Sequence, residues 1–491
     1  MSVTKMQTNH RVNQPLAHDS AHLHVSGEAI YVDDIPEPPG SLQVFIATSP
    51  HAHAHIVSMD LEKVRFAPGV AVVLTAADLH YAEDSDAEHS YDEPIFAVHE
   101  VDCHGHGLFA VAAETITQAR AAAKLAKVEY QQLEAVLTLD DALAKQAYLS
   151  PSQTMQRGNA QAALLSSPER LAGKISIGGQ EHFYLEGQVS LAIPGENDDI
   201  MLYSSTQDPT EIQFAVASAL GCPANSVTVE VRRLGGGFGG KELQAAPFAI
   251  IAALVAVRTR RPAKVRLDRD DDMIMTGKRH DFVINYDVGF DTTGRIEGIE
   301  LEMASRCGNS LDSSDAVNDR AMRHVDNAYY LPHVSIISHR CRTHTVSNTA
   351  LRGFGVPQAM LGIERVLEEI AFHLGLDPLE VRRVNLYGED GRNITPYNQR
   401  VEDNLAPQLI GQLEQDCHYL QRRSETRKYN ANNKILKKGI ALTPVKFGIA
   451  FSSQAYNQGG ALVHVYADGS VHLNHGGTEM GQGLFIKVAQ I

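Results

Sequence analysis

One acidic residue closes a loop made almost wholly of glycine. Glu242 ends the stretch Arg232-Arg-Leu-Gly-Gly-Gly-Phe-Gly-Gly-Lys-Glu242, in which Gly235, Gly240 and Lys241 have the spacing of a nucleotide-binding P-loop. A P-loop carries a serine or threonine hydroxyl for magnesium where this chain has Glu242. A carboxylate there accepts hydrogen bonds and repels a nucleotide. We therefore favour a loop that presents a carboxylate, and keep an altered P-loop as the alternative.

The residues around this loop indicate how it is held. Glycines allow positive φ and let backbone N–H groups approach an anion or a flat ring closely. The apolar run Ala245–Val257 predicts a buried helix directly after the loop. Glu242 should then lie near the N-terminus of that helix, where the helix dipole favours the charged carboxylate.

Two further glycine clusters precede predicted helices. Ser347–Gly355 places Arg352 and Phe354 in a turn, and Gly476–Gly483 places backbone donors at a helix start. Each cluster alone is typical of a tight turn. Three of them in one domain predict a large ligand with a phosphate and several polar edges.

Other clusters carry weaker hypotheses. His51, His53 and His55 would share one strand face and could bind a metal, but no nearby cysteine or paired carboxylate completes the site, so we favour an exposed strand face. The acidic runs Glu83–Glu88 and Asp268–Asp272 lack the pattern of a calcium loop. Solvated loops are the better interpretation of both.

The net charge and the positions of the cysteines argue against several classes of partner and cofactor. The 491 residues carry 43 Lys plus Arg against 59 Asp plus Glu, a formal charge of -16 that repels nucleic acid and anionic membranes. The five cysteines are far apart and form no C-x-x-C pair, so an iron–sulfur cluster or structural zinc would have to lie on a partner. A small molecule or another protein is therefore the better prediction for the partner of this chain.

Neither a membrane span nor an export signal is indicated. The longest apolar run, Ala245–Val257, is 13 residues and contains a proline, short of the roughly 20 that a bilayer requires. The polar, histidine-rich N-terminus has no apolar signal core. We expect a cytoplasmic protein.

Composition and periodicity divide the chain into parts. We predict an N-terminal tail over 1–25, a compact α+β unit over 26–140, a linker over 141–173, a larger unit over 174–410 and a further unit that begins at 411 and runs to 491. The last residues fit an amphipathic helix that stops without a cap, which we interpret as a truncated polypeptide.

Five motifs, in order, carry a family resemblance. The chain resembles the molybdopterin-binding subunit of the xanthine oxidase family from about Ser26 onward, through Gly178-Gly-Gln-Glu-His-Phe-Tyr-Leu-Glu186, Ser205-Thr-Gln207, Gly235-Gly-Gly-Phe-Gly-Gly-Lys-Glu242, Thr349-Ala-Leu-Arg-Gly-Phe-Gly355 and Gly477-Thr-Glu-Met-Gly-Gln-Gly483. The resemblance implies an α+β fold: an α/β hammerhead domain at 26–140, a first molybdopterin-binding domain at 174–410 and the start of a second at 411–491.

The resemblance also implies a function. A molybdenum–molybdopterin cofactor would serve to oxidise hypoxanthine to xanthine and xanthine to urate, with water as the oxygen source. Electrons would pass to 2Fe-2S clusters and FAD on a partner subunit, in a dimer of heterodimers. The family's general-base glutamate is expected beyond residue 491, so the chain alone would lack it. Two alternatives stay open: an aldehyde or N-heterocycle oxidase of the same superfamily, and a non-catalytic binding or assembly module.

Motif positions imply the roles of single residues. Gln207, Phe238 and Arg352 would surround the molybdenum, with Gly239 and Gln482 as further cofactor contacts. Glu242 and Arg320 match the pair that orients a purine, and Arg320 would also stabilise negative charge that develops on its ring. Phe354 and Phe451 match two aromatic rings that enclose the flat substrate, with Ser452 beside the second.

Overall fold

The structure is a computed structural model that describes residues 12–79, 93–389, 391–451 and 457–491. Ser452 and the acidic run Glu83–Glu88 lie outside these ranges. The hypotheses on them therefore have no structural counterpart.

Within the described residues, helices and strands alternate without a simple repeat. The helices are α1 (Ala21–Ser26), α2 (Glu62–Arg65), α3 (Ile116–Ala123), α4 (Leu139–Ala144), α5 (Ala160–Ser166), α6 (Pro209–Leu220), α7 (Ala246–Thr259), α8 (Arg269–Met275), α9 (Ser314–Met322), α10 (Val356–Leu374), α11 (Pro378–Asn385), α12 (Ala406–Asp416), α13 (Tyr419–Asn432) and α14 (Leu484–Gln490). The strands are β1 (Leu42–Thr48), β2 (Ala54–Asp60), β3 (Val70–Leu74), β4 (Glu100–Val101), β5 (Gly107–Ala113), β6 (Lys127–Gln132), β7 (Gln153–Arg157), β8 (Glu169–Ile177), β9 (Val189–Pro194), β10 (Ile200–Ser204), β11 (Val227–Glu230), β12 (Ala263–Arg266), β13 (Phe282–Phe290), β14 (Ile296–Gly308), β15 (Val334–Arg342), β16 (Ala461–Val465) and β17 (Val471–His475).

A seven-stranded sheet joins early and later parts of the chain. Its strand order is β11-β10-β9-β12-β1-β5-β3, and β1 pairs in parallel with β12, with Leu42 opposite Ala263. Among the described strands of the unit at 26–140, β4, β2 and β6 form a sheet of their own, whereas β1, β3 and β5 belong to the large sheet. This unit is therefore not self-contained. Helix α7 packs on the large sheet and is apolar and largely buried as far as Ala256, whereas Arg258 in its last turn is exposed. It begins four residues after Glu242 and so anchors the glycine loop.

A five-stranded sheet in the order β7-β15-β14-β13-β8 forms the second core. The alternating segments Asp281–Val288 and Arg295–Leu301 predict a hairpin, and it is present as β13 and β14, with Phe282 opposite Ser305. Apolar residues at helical spacing from Ile363 to Leu374, followed by Gly375, predict a helix that ends at this glycine. Helix α10 buries that face against the core, and it ends at Gly375 in the left-handed conformation.

The interpretation of residues 141–173 as a linker is wrong. Strand β7 pairs with β15, and β8 pairs with β13 along its whole length. Helix α5 buries Ala160, Ala163 and Leu164. The two strands are the edges of the sheet and are half exposed, so their polar composition resembles that of a connecting segment.

The residues after 405 form two helices and a hairpin. The charged stretch Arg422-Arg-Ser-Glu-Thr-Arg-Lys428, whose interleaved acidic residues predict a solvated helix face, lies in α13, which buries only Tyr419 among its residues. The stretch Leu462–Leu473, with a turn at Asp468-Gly469, predicts a hairpin, and it is present as β16 and β17. Across the described residues we find no helix with the length and apolar character needed to cross a bilayer.

Candidate functional site

The three glycine clusters meet around one open cavity of about 660 Å³. Parts of the wall come from the loop before α7, the turn before α10 and the loop before α14. Seven of the predicted site residues line it: Gln207, Phe238, Gly239, Glu242, Arg352, Phe354 and Gln482. The fold thus brings the three glycine clusters to the wall of the same cavity.

Gln207 fixes the shape of the glycine loop. Its side-chain oxygen accepts from the backbone N–H groups of Gly239 at 2.8 Å and Lys241 at 3.4 Å. Its own backbone N–H donates to the carbonyl of Lys241 at 2.8 Å. The side-chain nitrogen stands 3.5 Å from Glu242 Oε1, at the limit of a hydrogen bond. One amide side chain thus ties the loop backbone to the carboxylate.

Close approach requires glycine at two positions of this loop. A Cβ on Gly237 would lie 2.5 Å from Gln207 Oε1, and one on Gly239, whose φ is +99°, would lie 2.7 Å from the carbonyl oxygen of Ala350. Two residues of the wall, Phe238 at φ 56° and Phe354 at φ 51°, adopt the left-handed region although they carry side chains. Such strain costs about 1–3 kcal/mol each and is concentrated at functional sites.

Lys241 does not act as a P-loop lysine. Its side chain is fully buried and its ammonium donates to the carbonyl of Glu186 at 2.7 Å and to Ser205 Oγ at 2.6 Å. It also lies 4.6 Å from the centre of the Tyr184 ring. Burial lowers the pKa of Lys241 to about 8. Because this ammonium points under the loop, it cannot reach a phosphate in the cavity, and the P-loop alternative fails.

Glu186 is a functional residue that sequence reasoning missed. Its carboxylate accepts from the backbone N–H of Gly235 at 2.8 Å, from Ser205 Oγ at 3.0 Å and from the backbone N–H of Val32 at 3.0 Å. It therefore holds the start of the glycine loop as Gln207 holds its end. The available signal was an acidic residue at the end of the first family motif.

Glu242 has a pKa well above that of an ordinary glutamate. Burial, followed by the charges of Asp312 and Asp208, raises the pKa of Glu242 to about 7. The expectation that a helix dipole keeps this carboxylate charged is therefore wrong: α7 begins only at Ala246, and burial outweighs the dipole. A carboxyl group with this pKa can accept a proton or a hydrogen bond near pH 7.

This pKa predicts an unusual pH dependence of stability. In the cofactor-free protein, Glu242→Gln is expected to raise the melting temperature by about 2 to 4 °C at pH 8 and to leave it nearly unchanged at pH 4, a difference of about 2 kcal/mol. The folded-state pKa lies above the ordinary value of 4.5, so the wild type loses stability as pH rises from 4.5 to about 7. Thermal melts from pH 4 to 8 measure this.

A matched control is Glu230→Gln, since Glu230 is exposed on β11 away from the cavity. Its melting temperature should follow the wild type at every pH. If Glu242→Gln changes the melting temperature equally at pH 4 and pH 8, the raised pKa of Glu242 is contradicted.

Arg320 is not among the residues that line the cavity. Its guanidinium donates to the carbonyls of Ala450, at 2.8 Å, and Gly448, and stacks 5.0 Å from the centre of the Phe447 ring. Gly355, next to Phe354, packs against the α9 backbone, since a Cβ there would lie 2.1 Å from the carbonyl of Val317. Arg320 therefore lies on a helix that adjoins the cavity, with its charge directed to the chain's own backbone.

The two predicted aromatic rings are neighbours, but they do not face each other across a gap. The rings of Phe354 and Phe451 have centroids 5.7 Å apart and are inclined by 53°. A flat ligand stacked between two parallel rings needs a centroid separation of about 7 Å, twice an ordinary van der Waals distance. Enclosure of a substrate by both rings stays a prediction.

The histidine cluster has structural partners. His53 contacts Glu100 at 2.7 Å and the carbonyl of Glu134 at 2.6 Å, and its ring stacks on His344 at 3.8 Å. His55 lies 3.1 Å from the same Glu100. In the part of the chain that the structure describes, no group of three or more His, Cys, Asp and Glu residues has a metal-binding arrangement.

Comparisons with known proteins match three consecutive parts of the chain. Residues 26–134 match the family model "aldehyde oxidase and xanthine dehydrogenase, a/b hammerhead domain", and residues 142–386 and 412–491 match molybdopterin cofactor-binding domains. The chain belongs to the aldehyde oxidase and xanthine dehydrogenase family. The residues once interpreted as a linker are included in this family's first molybdopterin-binding domain.

Curated relatives in this family are similar over nearly the whole chain. The xanthine dehydrogenase/oxidase of Rattus norvegicus is 42% identical over 482 residues, 98% of this chain and 36% of the relative. That of Felis catus is 41% identical over 481 residues, with the same two coverages, and the xanthine dehydrogenase of Dictyostelium discoideum is 40% identical over 482 residues, 98% of this chain and 35% of the relative. The chain thus spans about a third of the length of these relatives.

Solved structures share the fold. The CO dehydrogenase of Oligotropha carboxidovorans matches with a TM-score of 0.81 at 20% identity, over 98% of this chain and 64% of that one. The quinoline 2-oxidoreductase of Pseudomonas putida matches with a TM-score of 0.78 at 23% identity, over 86% and 56%. At these identities the likeness supports the architecture only.

The cavity fits the cofactor for which the family's domains are named. Its wall carries the side-chain amides of Gln207 and Gln482, both of which also bond to loop backbone. It also carries backbone left open by glycines and the exposed guanidinium of Arg352. Arg279, which is 7% exposed, donates to the carbonyl of Arg352, and among the described residues two of its nitrogens have no hydrogen-bond partner. Polar donors and positive charge beside a glycine-lined wall suit a large anionic group such as molybdopterin.

Proposed function

We propose that this chain forms part of a molybdenum hydroxylase that oxidises hypoxanthine to xanthine and xanthine to urate. Each step replaces a C–H bond of the purine by a bond to oxygen from water and releases two protons and two electrons. The electrons would pass to 2Fe-2S clusters and FAD, held elsewhere in the longer enzyme or on a partner subunit, in a dimer of heterodimers. The observation that carries the proposal is a carboxyl group with a near-neutral pKa in the glycine-lined cavity.

Glu242 orients the substrate in this proposal. Its carboxylate accepts an N–H of the purine, and its protonated form donates to a ring nitrogen or carbonyl. A charge-assisted hydrogen bond of this kind contributes about 1.5–3 kcal/mol. Gln207, 3.5 Å away, keeps the carboxyl group directed to the cavity. The pKa near 7 lets one residue serve neutral and anionic purines.

The remaining residues hold cofactor and substrate. Molybdenum–molybdopterin, when bound, supplies two-electron oxidation with water as the oxygen source. Gln207, Phe238, Gly239, Arg352 and Gln482 would bind it through side-chain amides, backbone groups and one guanidinium.

Other groups act on the substrate ring. Phe354 would pack on its flat face. Arg320 keeps N–H groups beyond the two that bond to carbonyls, and these would meet a purine oxygen and stabilise developing negative charge.

A second candidate is an aldehyde or N-heterocycle oxidase. The specific observation in its favour is that Arg320 is engaged by backbone carbonyls and does not line the cavity. In that case Glu242 and Arg320 would not bind opposite edges of a purine, although Glu242 still lies in the cavity.

The test compares two substrates in the cofactor-loaded enzyme. Glu242→Gln is expected to lower kcat/KM for xanthine about 10- to 100-fold, because the charge-assisted bond to an N–H is lost. The change for benzaldehyde, which has no N–H, should stay below threefold. Steady-state kinetics with both substrates measure this, with Glu230→Gln as the control variant.

An equal loss for both substrates would mean that Glu242 supports the site without recognising a purine. Unchanged xanthine kinetics, together with efficient benzaldehyde oxidation, would establish the second candidate instead.

A further inference from the structure

Residues 444–451 form a strap that crosses the end of α9 without regular secondary structure. Backbone groups at every second position of the strap bond to side chains of the facing element, and these positions are Pro444, Lys446, Gly448 and Ala450. The side chains belong to Arg320, His324 and Asn327, spaced i, i+4 and i+7. One face of an extended segment is thus matched to one face of a helix and the turn that follows it.

The three side chains hold different points of the strap. Asn327 donates to the carbonyl of Pro444 at 3.0 Å and accepts from the N–H of Lys446 at 3.0 Å. Arg320 donates to the carbonyls of Ala450 and Gly448. His324 Nε2 accepts from the N–H of Gly448 at 3.0 Å. The ring of Phe447 packs against both the Arg320 guanidinium and the His324 ring.

The partners of His324 determine its tautomer. Gly448 N–H is a donor, so Nε2 must present its lone pair. The carbonyl of Arg320, 2.8 Å from Nδ1, is an acceptor, so Nδ1 must carry the hydrogen. A neutral imidazole with hydrogen on Nδ1 satisfies both bonds, whereas an imidazolium donates from both nitrogens and loses the bond to Gly448.

Charges around the ring favour the neutral form. Burial lowers the pKa of His324 below its ordinary value of 6.5, and the positive charges of Lys446, Arg320 and Arg323 lower it further. Asp326 and Glu364 are acidic groups beside this turn. Asp326 is paired with Lys446, and Glu364 accepts from Asn327 at 2.9 Å and is paired with Arg382.

We propose that His324 is a positioning residue: as a neutral imidazole it fixes the strap against α9, and so sets where Arg320 and Phe451 stand beside the cavity. The role of the strap in substrate binding rests on the proposed function; its attachment rests on the contacts alone. As pH falls, His324 is protonated at a higher pH in the unfolded chain than in the folded one. The stability that His324 gives the strap is therefore complete above pH 6.5. It is lost as pH falls through the lower pKa of the folded state.

Two substitutions separate this role from simple packing. His324→Phe keeps a ring against Phe447 and removes both hydrogen bonds, whereas His324→Gln removes the ring and can both accept from Gly448 and donate to Arg320. Hydrogen exchange of peptides that span 444–451 should show at least a tenfold loss of protection in the Phe variant and less than threefold in the Gln variant. In the wild type, protection should fall from pH 7 to pH 5, and in the Phe variant it should stay level.

His339→Phe is the control, because His339 is equally buried but bonds to Ser152 beside the five-stranded sheet. It should leave the exchange of 444–451 unchanged. Full protection in His324→Phe, or a greater loss in His324→Gln than in His324→Phe, would overturn the proposal.

Kinetics of the cofactor-loaded enzyme test the link to the substrate. His324→Phe should raise KM for xanthine at least fivefold, and His324→Gln should restore it to within twofold of the wild type. A loosened strap with an unchanged KM would overturn the positioning role. If the Glu242→Gln experiment refutes purine oxidation, the exchange data still decide whether His324 fixes the strap, so the two failures are distinguishable.

Discussion

Arg320→Met in the cofactor-loaded enzyme is expected to lower kcat/KM for xanthine about a thousandfold. Arg320 is 6% exposed and donates to two backbone carbonyls, at Gly448 and Ala450, so methionine removes two charge-assisted bonds and leaves both acceptors unpaired. It also removes the cation proposed to stabilise charge on the purine. A combined loss of about 4 kcal/mol corresponds to this factor. Steady-state kinetics with xanthine measure it.

The matched variant is Arg320→Lys, which keeps the charge but cannot bond to two carbonyls and a substrate oxygen together. We expect a loss of about 30- to 100-fold, intermediate between wild type and Arg320→Met. A loss below tenfold for Arg320→Met would show that the guanidinium serves only the strap and has no part in catalysis.

Gly237→Ala is expected to reduce the molybdenum content of the purified enzyme at least tenfold. The added methyl carbon would lie 2.5 Å from Gln207 Oε1, so either the glycine loop or Gln207 must move. Since Gln207 also holds Gly239 and Lys241, the displacement would spread through the wall of the cavity. Metal analysis per purified chain, beside a circular dichroism spectrum that reports folding, measures the effect.

Gly178→Ala provides the control, because a Cβ on Gly178 would meet nothing within 4 Å. Its molybdenum content should equal that of the wild type. If Gly237→Ala folds and binds a full complement of molybdenum, the cavity between the glycine clusters is not the cofactor site.

Much of the fold follows from patterns that the sequence displays. The hairpin β13–β14, the buried helix α7 and the capped helix α10 all have strong local signals: alternation, uniform apolarity and a terminal glycine. Strand β7 and the first five residues of β8 escaped prediction because edge strands are half exposed and polar, and their partners lie far along the chain. A strand whose partner lies far away in the sequence has no local signal that identifies the partner.

The site shows the same division. Family motifs identified the residues that line the cavity, since glycine-rich loops have readable sequences. The raised pKa of Glu242 could not be foreseen, because it depends on burial and on Asp312, 70 residues away in the sequence. The contacts between Arg320 and the strap could not be foreseen either. The spacing of Arg320, His324 and Asn327 indicates a shared face, but the segment that binds to this face has no signal in the sequence.

The parallel pairing of β1 with β12 constrains how the protein forms during synthesis. Strand β1 leaves the ribosome long before Ala263, its neighbour in the sheet, has been made. At translation rates of about 5–20 residues per second, the interval is on the order of tens of seconds. During that time the flank of β1 opposite β5 is an unpaired edge, open to association with other nascent chains. A chaperone that shields this edge would therefore raise the yield of folded protein without touching the native state.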